Sequence, residues 1–212
     1  MSTLVVGDIH GCAEEFAALL RMVGPTRVVC VGDLFTKGPD PVGVWSLLRE
    51  HRAESVLGNH DDRLLEGVAG RRPDDAGAHH CAAAMDASAP GWCEWTSSLP
   101  LFLDVDPFVV VHASLHTSGD RAQTTREMAL YWRRWPNDRA DAPHWHEVYA
   151  GPTRVIYGHD ARRGLVRVER EGVPWTLGLD SGCVYGGALS GYIVEEDRIV
   201  QQHARRVYKP VG

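Results

Sequence analysis

The sequence predicts an α+β fold, a mixed β sandwich with helices packed outside it. Two observations carry that expectation. Short apolar runs alternate with helix-period segments through the first half of the chain, and beyond residue 160 the period shortens to that of strands joined by tight turns. This pattern is not that of a doubly wound dinucleotide fold. With 212 residues, 44% of them hydrophobic, the chain is long enough to bury one substantial core, so residues 1–212 are read as a single domain.

Taken in order, "TLVVG" reads as a short buried strand, followed by apolar residues at helical spacing over 14–23 that Gly24 and Pro25 stop. "RVVCVG" is the second strand. Residues 41–50 open with proline in a first helical turn and carry Val42, Trp45, Leu47 and Leu48 before the brief strand "SVLG". Leu64, Leu65 and Val68 continue a helix that gives way near "GRRPDD" at 70–75. Over 71–100 the alternation fades into an alanine-rich helix at 76–87 and another at 91–98. That segment is expected to be a small helical insertion capping a site. After the strand "FVVVHA" at 108–113, helical character returns in "TREMALYWRRW" at 125–135. The tail then reads as short strands, "GLVRVER", "WTLGLD" and the run from 188, turning at "REG" and "EED".

The formal charge of -6 comes from 28 acidic against 22 basic residues without a tail of like charges, which disfavours nonspecific nucleic-acid binding. Five cysteines, Cys12, Cys30, Cys81, Cys93 and Cys183, lack CxxC spacing and read as reduced thiols. Asp8 and His10 follow the first residues directly, leaving no basic leader, and no apolar run approaches eighteen residues. A cytoplasmic protein without a membrane partner is therefore expected.

The chemistry lies where apolar runs end. "LVVGDIHG", "VVCVGDLFTKGPD", "SVLGNHDD", "FVVVHA" and "VIYGHD" each terminate in oxygen or imidazole ligands. If the strand ends gather at one edge of a sheet, Asp8, His10, Asp33, Asn59, His112 and His159 meet, with Asp33 central enough to bridge two ions. A mixed nitrogen and oxygen set without thiolate suits manganese, with iron, zinc, cobalt or nickel as alternatives, better than magnesium or calcium. Two such ions about 3.5–4 Å apart bind phosphoryl oxygens and activate water.

On these five motifs the chain resembles the calcineurin-like metallophosphoesterases of the phosphoprotein phosphatase superfamily. Within it, "YGHDARRGL" and "GLDSGCVYGGALSGYIV" are most similar to the symmetrical diadenosine tetraphosphatases and their relatives. The resemblance implies a four-layer α/β/β/α sandwich. It also implies a first metal on Asp8, His10 and Asp33, a second on Asp33, Asn59, His112 and His159, and His60 as the general acid. Asp61 takes the acidic position after it, orienting a neighbouring group. Where protein phosphatases carry Asp-Arg-Gly this chain has Thr36-Lys37-Gly38, which exchanges a bidentate fork for a point charge at Lys37. Arg133 is the expected second phosphate clamp, with Arg126 and Arg134 as competitors.

The implied activity is hydrolysis of phosphoanhydrides in a dinucleoside polyphosphate such as diadenosine tetraphosphate, by direct attack of water. A phosphoprotein, dephosphorylated at serine, threonine or tyrosine, is the alternative partner. Among the remaining polar residues, Asp180, Ser181 and Tyr185 border the pocket or simply form a turn, and Ser181 has no base beside it to make it a nucleophile. His79, His80, His144 and His146 read as surface. Tryptophans in the insertion and later loop are core or cap anchors, one of them available to stack on adenine.

Overall fold

Strand β1 (Thr3–Val6) pairs in parallel with β2 (Arg27–Cys30), placing Leu4 opposite Val28 and Val6 opposite Cys30 in the computed structural model, which describes residues 2–72 and 75–210. Pro73 and Asp74, inside the predicted insertion, lie outside the described residues. β3 (Glu54–Ser55) joins β2 in parallel, while β9 (Ala188–Ile193) and β10 (Arg198–His203) add antiparallel strands on the other side. The first sheet therefore runs β10-β9-β1-β2-β3. The second runs β4-β5-β6-β8-β7, from β4 (Phe102–Val105), β5 (Phe108–Val111), β6 (Arg154–Tyr157), β7 (Val166–Arg170) and β8 (Val173–Gly178).

The two-residue period of β1 and β2 explains the layering. Val5, Val29 and Val31 point between the sheets and meet Val110, Ile156 and Leu177 of the second sheet, while Leu4, Val6, Val28 and Cys30 point outward. There they receive α1 (Ala13–Val23) through Phe16 and Leu19, and α2 (Pro41–Glu50) through Val44 and Leu48. Each fully buried side chain of this size contributes roughly 1.5–3 kcal/mol. Helix ends follow local chemistry: Gly24 closes α1 in the left-handed conformation, and the Asp40 carboxylate accepts from the Gly43 N–H to open α2.

α3 (Asn59–Val68), α4 (Ala76–Ser88) and α5 (Trp92–Ser97) complete the helical layer over the first sheet. Among the described residues the second outer layer is thinner than a four-layer sandwich suggests, holding α6 (Arg126–Tyr131), short 3-10 turns and irregular chain around buried Trp145 and Tyr149. The helix expected over 125–135 stops after Tyr131 because Trp132 is extended and the Arg133 and Arg134 N–H groups both donate to the Asp138 carboxylate. β4 was not foreseen. Its exposed Asp104 and half-buried Phe102 and Leu103 give it a weaker apolar signal than its partner β5.

The predicted cap is corrected by the structure. Ala78, Cys81, Ala82, Met85 and Trp92 pack into the same apolar cluster as Phe35, Trp45 and Leu64, so α4 and α5 extend the core behind the site. Among the described residues, none in 71–100 lines the site cavity. No helix of the described residues is long and apolar enough to cross a membrane.

Candidate active site

Five strand ends converge where the two sheets meet at the carboxyl ends of their parallel strands. Asp8 and His10 follow β1, Asp33 follows β2, His112 follows β5, His159 follows β6 and Asp180 follows β8, while Asn59 opens α3 just after β3. Carboxyl strand ends are where open α/β sheets hold ligands, because only loops lie beyond them. His10, Asp33 and His159 adopt positive φ angles of 47, 55 and 72°, and Lys37 one of 74°. Turning the chain sharply at the strand end lets each side chain fold back over it.

Close approach without a side chain is needed at Gly158. A Cβ there would lie 2.0 Å from Asp8 Oδ1 and 2.6 Å from Val31 Cγ2. Gly158→Ala is expected to displace Asp8 and to lower the urea midpoint by the equivalent of about 1–3 kcal/mol. An unchanged midpoint and unchanged metal content would show that the backbone yields there.

Proton bookkeeping defines one half of the site. His112 Nδ1 lies 2.8 Å from the Val31 carbonyl oxygen and His159 Nε2 lies 2.9 Å from that of Tyr131. Both carbonyls only accept, so each ring nitrogen donates to one. Burial pushes both imidazoles down in pKa, His159 further because His112 and Arg133 adjoin it, which favours the neutral rings. The remaining lone pairs, His112 Nε2 and His159 Nδ1, face Asn59 Oδ1 at 2.9 and 3.0 Å, and Asp33 Oδ1 is 3.5 Å from His112 Nε2. Four acceptors thus converge without a proton between them, an arrangement that suits a cation.

The other half is built from carboxylates. Asp8, Asp33 and His112 can bring one ligand atom each within 4.8 Å of the others. His10 Nε2 stands 3.4 Å from Asp33 Oδ2 and accepts from Lys37 Nζ at 2.9 Å, while its Nδ1 is buried without a partner. Asp8 accepts from the His159 N–H with both oxygens at 3.1 and 3.2 Å, fixing the β1 and β6 ends to each other. Burial raises Asp8 well above the usual carboxylate range, with Asp180 and Asp33 adding repulsion. Burial likewise pushes Asp180 up to about 6, with Asp33 and Asp160 adding to it. Asp33 moves the other way. Burial would raise it, but His112, His60, His10 and Lys37 outweigh that and hold its carboxyl below the usual range. Such crowding of buried acids is relieved by divalent cations, so the donor set fits the metal ions expected from the sequence.

Apart from His112, which is fully buried behind them, the side chains of both halves open into a cavity of about 810 Å³ that also includes Lys37, His60, Arg133 and Arg162. His60 donates its backbone N–H to Asp33 Oδ1 at 2.8 Å, and its ring stands edge-on to His10 with centroids 5.1 Å apart. Burial lowers its imidazole to about 4, helped by Lys37 and Arg63. Of the three candidate clamps, Arg133 reaches the cavity, donating to the His159 carbonyl at 3.2 Å with Nε 3.7 Å from Asp160. Arg126 is instead paired with Asp62, and Arg134 with the Ala142 carbonyl.

Asp61 has a positioning geometry. Its fully buried carboxylate accepts from the N–H groups of Asp33 at 2.8 Å, Leu34 at 2.9 Å and Gly58 at 3.2 Å, all behind the cavity. It holds the loop that carries Asp33. Burial and Asp33 push its carboxyl up to about 8, opposed by those three donors. The tryptophan proposed to stack on a base is corrected, because among the described residues Tyr185 is the non-histidine aromatic on the cavity. Ser181 Oγ donates to the Ala188 carbonyl at 2.6 Å, which leaves it no base.

Sequence reasoning assigned no role to Asp160 or Arg162, although both sit in "GHDARRG" directly after a strand end. The reading of His146 as surface also fails. It is 4% exposed, accepts from the Tyr157 hydroxyl at 2.8 Å, and burial together with His144 pushes it down to about 4. Its unfolded pKa is about 6.5, so between those values the unfolded chain binds a proton that the folded chain refuses. The contribution of His146 to stability is full above about pH 6.5 and is lost, by up to about 3 kcal/mol, as pH drops toward 4. Urea midpoints across that window should fall less steeply in His146→Gln, where the other buried imidazoles still contribute, than in the parent, and parallel profiles would discard this account.

Residues 1–178 match the calcineurin-like phosphoesterases. The chain belongs to that family. It is therefore a hydrolase of phosphate esters or anhydrides in a family that uses divalent metals. Among curated relatives, the asymmetrical bis(5'-nucleosyl)-tetraphosphatase PrpE of Oceanobacillus iheyensis is 25% identical, over 96% of this chain and 93% of its own length. The symmetrical bis(5'-nucleosyl)-tetraphosphatase of Aromatoleum aromaticum is 28% identical, covering 96% and 97%. A solved structure described as "a putative diadenosine tetraphosphatase" superposes with a TM-score of 0.81 at 32% identity, covering 96% of this chain and 93% of that one.

Proposed function

We propose that this calcineurin-like phosphoesterase hydrolyses a phosphoanhydride of bis(5'-nucleosyl) tetraphosphates such as diadenosine tetraphosphate, with two divalent cations, manganese first among them. One observation carries the reading. Acceptor lone pairs from both sheets converge around Asp33 and Asn59, at the floor of a cavity rimmed by Lys37, Arg133 and Arg162. Asp8, His10 and Asp33 would hold one ion, and Asp33, Asn59, His112 and His159 the other. Bound there, the pair supplies Lewis acidity toward phosphoryl oxygens and an acidified water.

The chain's own residues do the rest. Lys37 meets one phosphoryl oxygen as a point charge, whereas Arg133 offers a planar fork held by the His159 carbonyl. The exposed guanidinium of Arg162 suits the further phosphates that distinguish a polyphosphate from a monoester. His60, neutral in the free site, gains basicity as the polyanion enters, takes up a proton from solvent and then gives that proton to the leaving oxygen, returning to the neutral ring. Water attacks in line, with no covalent link to the protein.

The deciding experiment compares diadenosine tetraphosphate, a phosphoserine peptide and an aryl phosphate, each with Mn, Co, Mg and Zn. The tetraphosphate is expected to give a kcat/KM higher by about 100-fold or more, a margin of nearly 3 kcal/mol. Two ADP molecules mark symmetrical cleavage, ATP with AMP asymmetrical cleavage. Preference for the phosphopeptide would make this a protein phosphatase instead.

A further inference from the structure

Outside the cavity, a second cluster of ligand atoms lies at the start of α1. Cys12, Glu15 and Cys183 can present two sulfurs and a carboxylate oxygen within 4.8 Å of one another. They are 0%, 1% and 2% exposed. Glu15 Oε1 accepts from the Arg205 N–H at 3.0 Å and the Tyr208 hydroxyl at 2.7 Å. Its Oε2 is buried with no hydrogen-bond partner. An unpaired carboxylate oxygen in the interior is destabilising, and a positive charge beside it removes the penalty.

We propose that Cys12, Glu15 and Cys183 form a third metal site, which takes one thiophilic divalent cation of the zinc or cadmium type. The donor set separates it from the nitrogen and oxygen ligands around Asp33, since two thiolates favour zinc over manganese. Glu15 also borders a surface cavity of about 380 Å³, together with Asp40, Arg205 and Tyr208. Three stretches of chain meet at this point. Cys12 lies two residues beyond His10, Cys183 lies three beyond Asp180, and Glu15 grips the segment after β10. A bound ion would tie the β1 loop of the first sheet to the β8 loop of the second, bracing two walls of the active site from outside it. Cys30, Cys81 and Cys93 belong to no such cluster among the described residues.

The test uses the full chain, reduced and held in excess manganese, and titrates it with cadmium while reading the ultraviolet thiolate-to-cadmium charge-transfer absorption. One equivalent per chain is expected to saturate the band. Cys183→Ser should abolish it, and Glu15→Gln should keep the band but weaken cadmium affinity by about tenfold or more. No band in the wild-type chain overturns the proposal, as does an unchanged band in Cys183→Ser, or a Cys12–Cys183 disulfide in the reduced and titrated protein. Should the variants fail to fold, X-ray absorption of the wild-type chain with three added equivalents of zinc, two of them for the active site, still decides. Sulfur neighbours at about 2.3 Å support the site, and a shell of nitrogen and oxygen alone removes it.

Discussion

Asn59→Ala is expected to turn over diadenosine tetraphosphate about a thousandfold more slowly than the parent chain, with its fold intact. The reason is local. Asn59 Oδ1 faces two imidazole lone pairs at 2.9 and 3.0 Å, so its removal takes away the oxygen on which both histidines converge. Neither histidine is released, because His112 stays bonded to Val31 and His159 to Tyr131. The neighbouring cap of α3 also survives, since Asp61 rather than Asn59 accepts from the Gly58 N–H. Far-ultraviolet circular dichroism should therefore match the parent while manganese content falls. Near-parental kcat at saturating manganese would show that Asn59 is not a ligand.

His60→Ala is expected to lose about 10²–10⁴ in kcat while retaining its metal. Its backbone N–H, not its ring, holds Asp33, so the substitution leaves the 2.8 Å bond in place. The loss should depend on the leaving group. A phosphate ester whose leaving group is a basic alkoxide should suffer much more than an activated nitroaryl phosphate, whose phenolate departs without a proton. Equal losses on both substrates would reassign His60 from proton donor to electrostatic support. The variant with lowered metal content would instead place the ring among the ligands.

Much of the fold and of the candidate site was legible because potential ligand residues ended apolar runs. "VVCVGD" and "VIYGHD" announce both a buried strand and the group it delivers, and each run became a strand with its polar residue in the site. Positions whose role depends on tertiary placement were harder. Asp61 reads as orienting a neighbouring group without showing which; successive helical residues point about 100° apart, and its carboxylate turns to three backbone N–H groups. His146 had no periodic signal, sitting in a loop whose burial comes from Trp145 and Tyr157 folding over it. The pairing of Cys12 with Cys183 spans 171 positions between two sheets, beyond any local spacing rule. The alanine-rich helix showed its existence but not its address, because a short apolar face packs equally well over a cleft or behind it.

The left-handed backbone at His10, Asp33, Lys37 and His159 has a bearing on how this pocket can evolve. Aspartate and histidine are among the side chains that tolerate that conformation, so three of these positions combine a donor atom with a permissible turn. A replacement ligand must satisfy both demands at once. Glutamate or cysteine offers suitable donors with less conformational tolerance, and β-branched residues are disfavoured before chemistry is considered. Swapping the cation preference of such an enzyme by exchanging ligands one at a time thus encounters a conformational filter. Routes that alter the surrounding hydrogen bonds, and leave these four residues alone, face no such barrier.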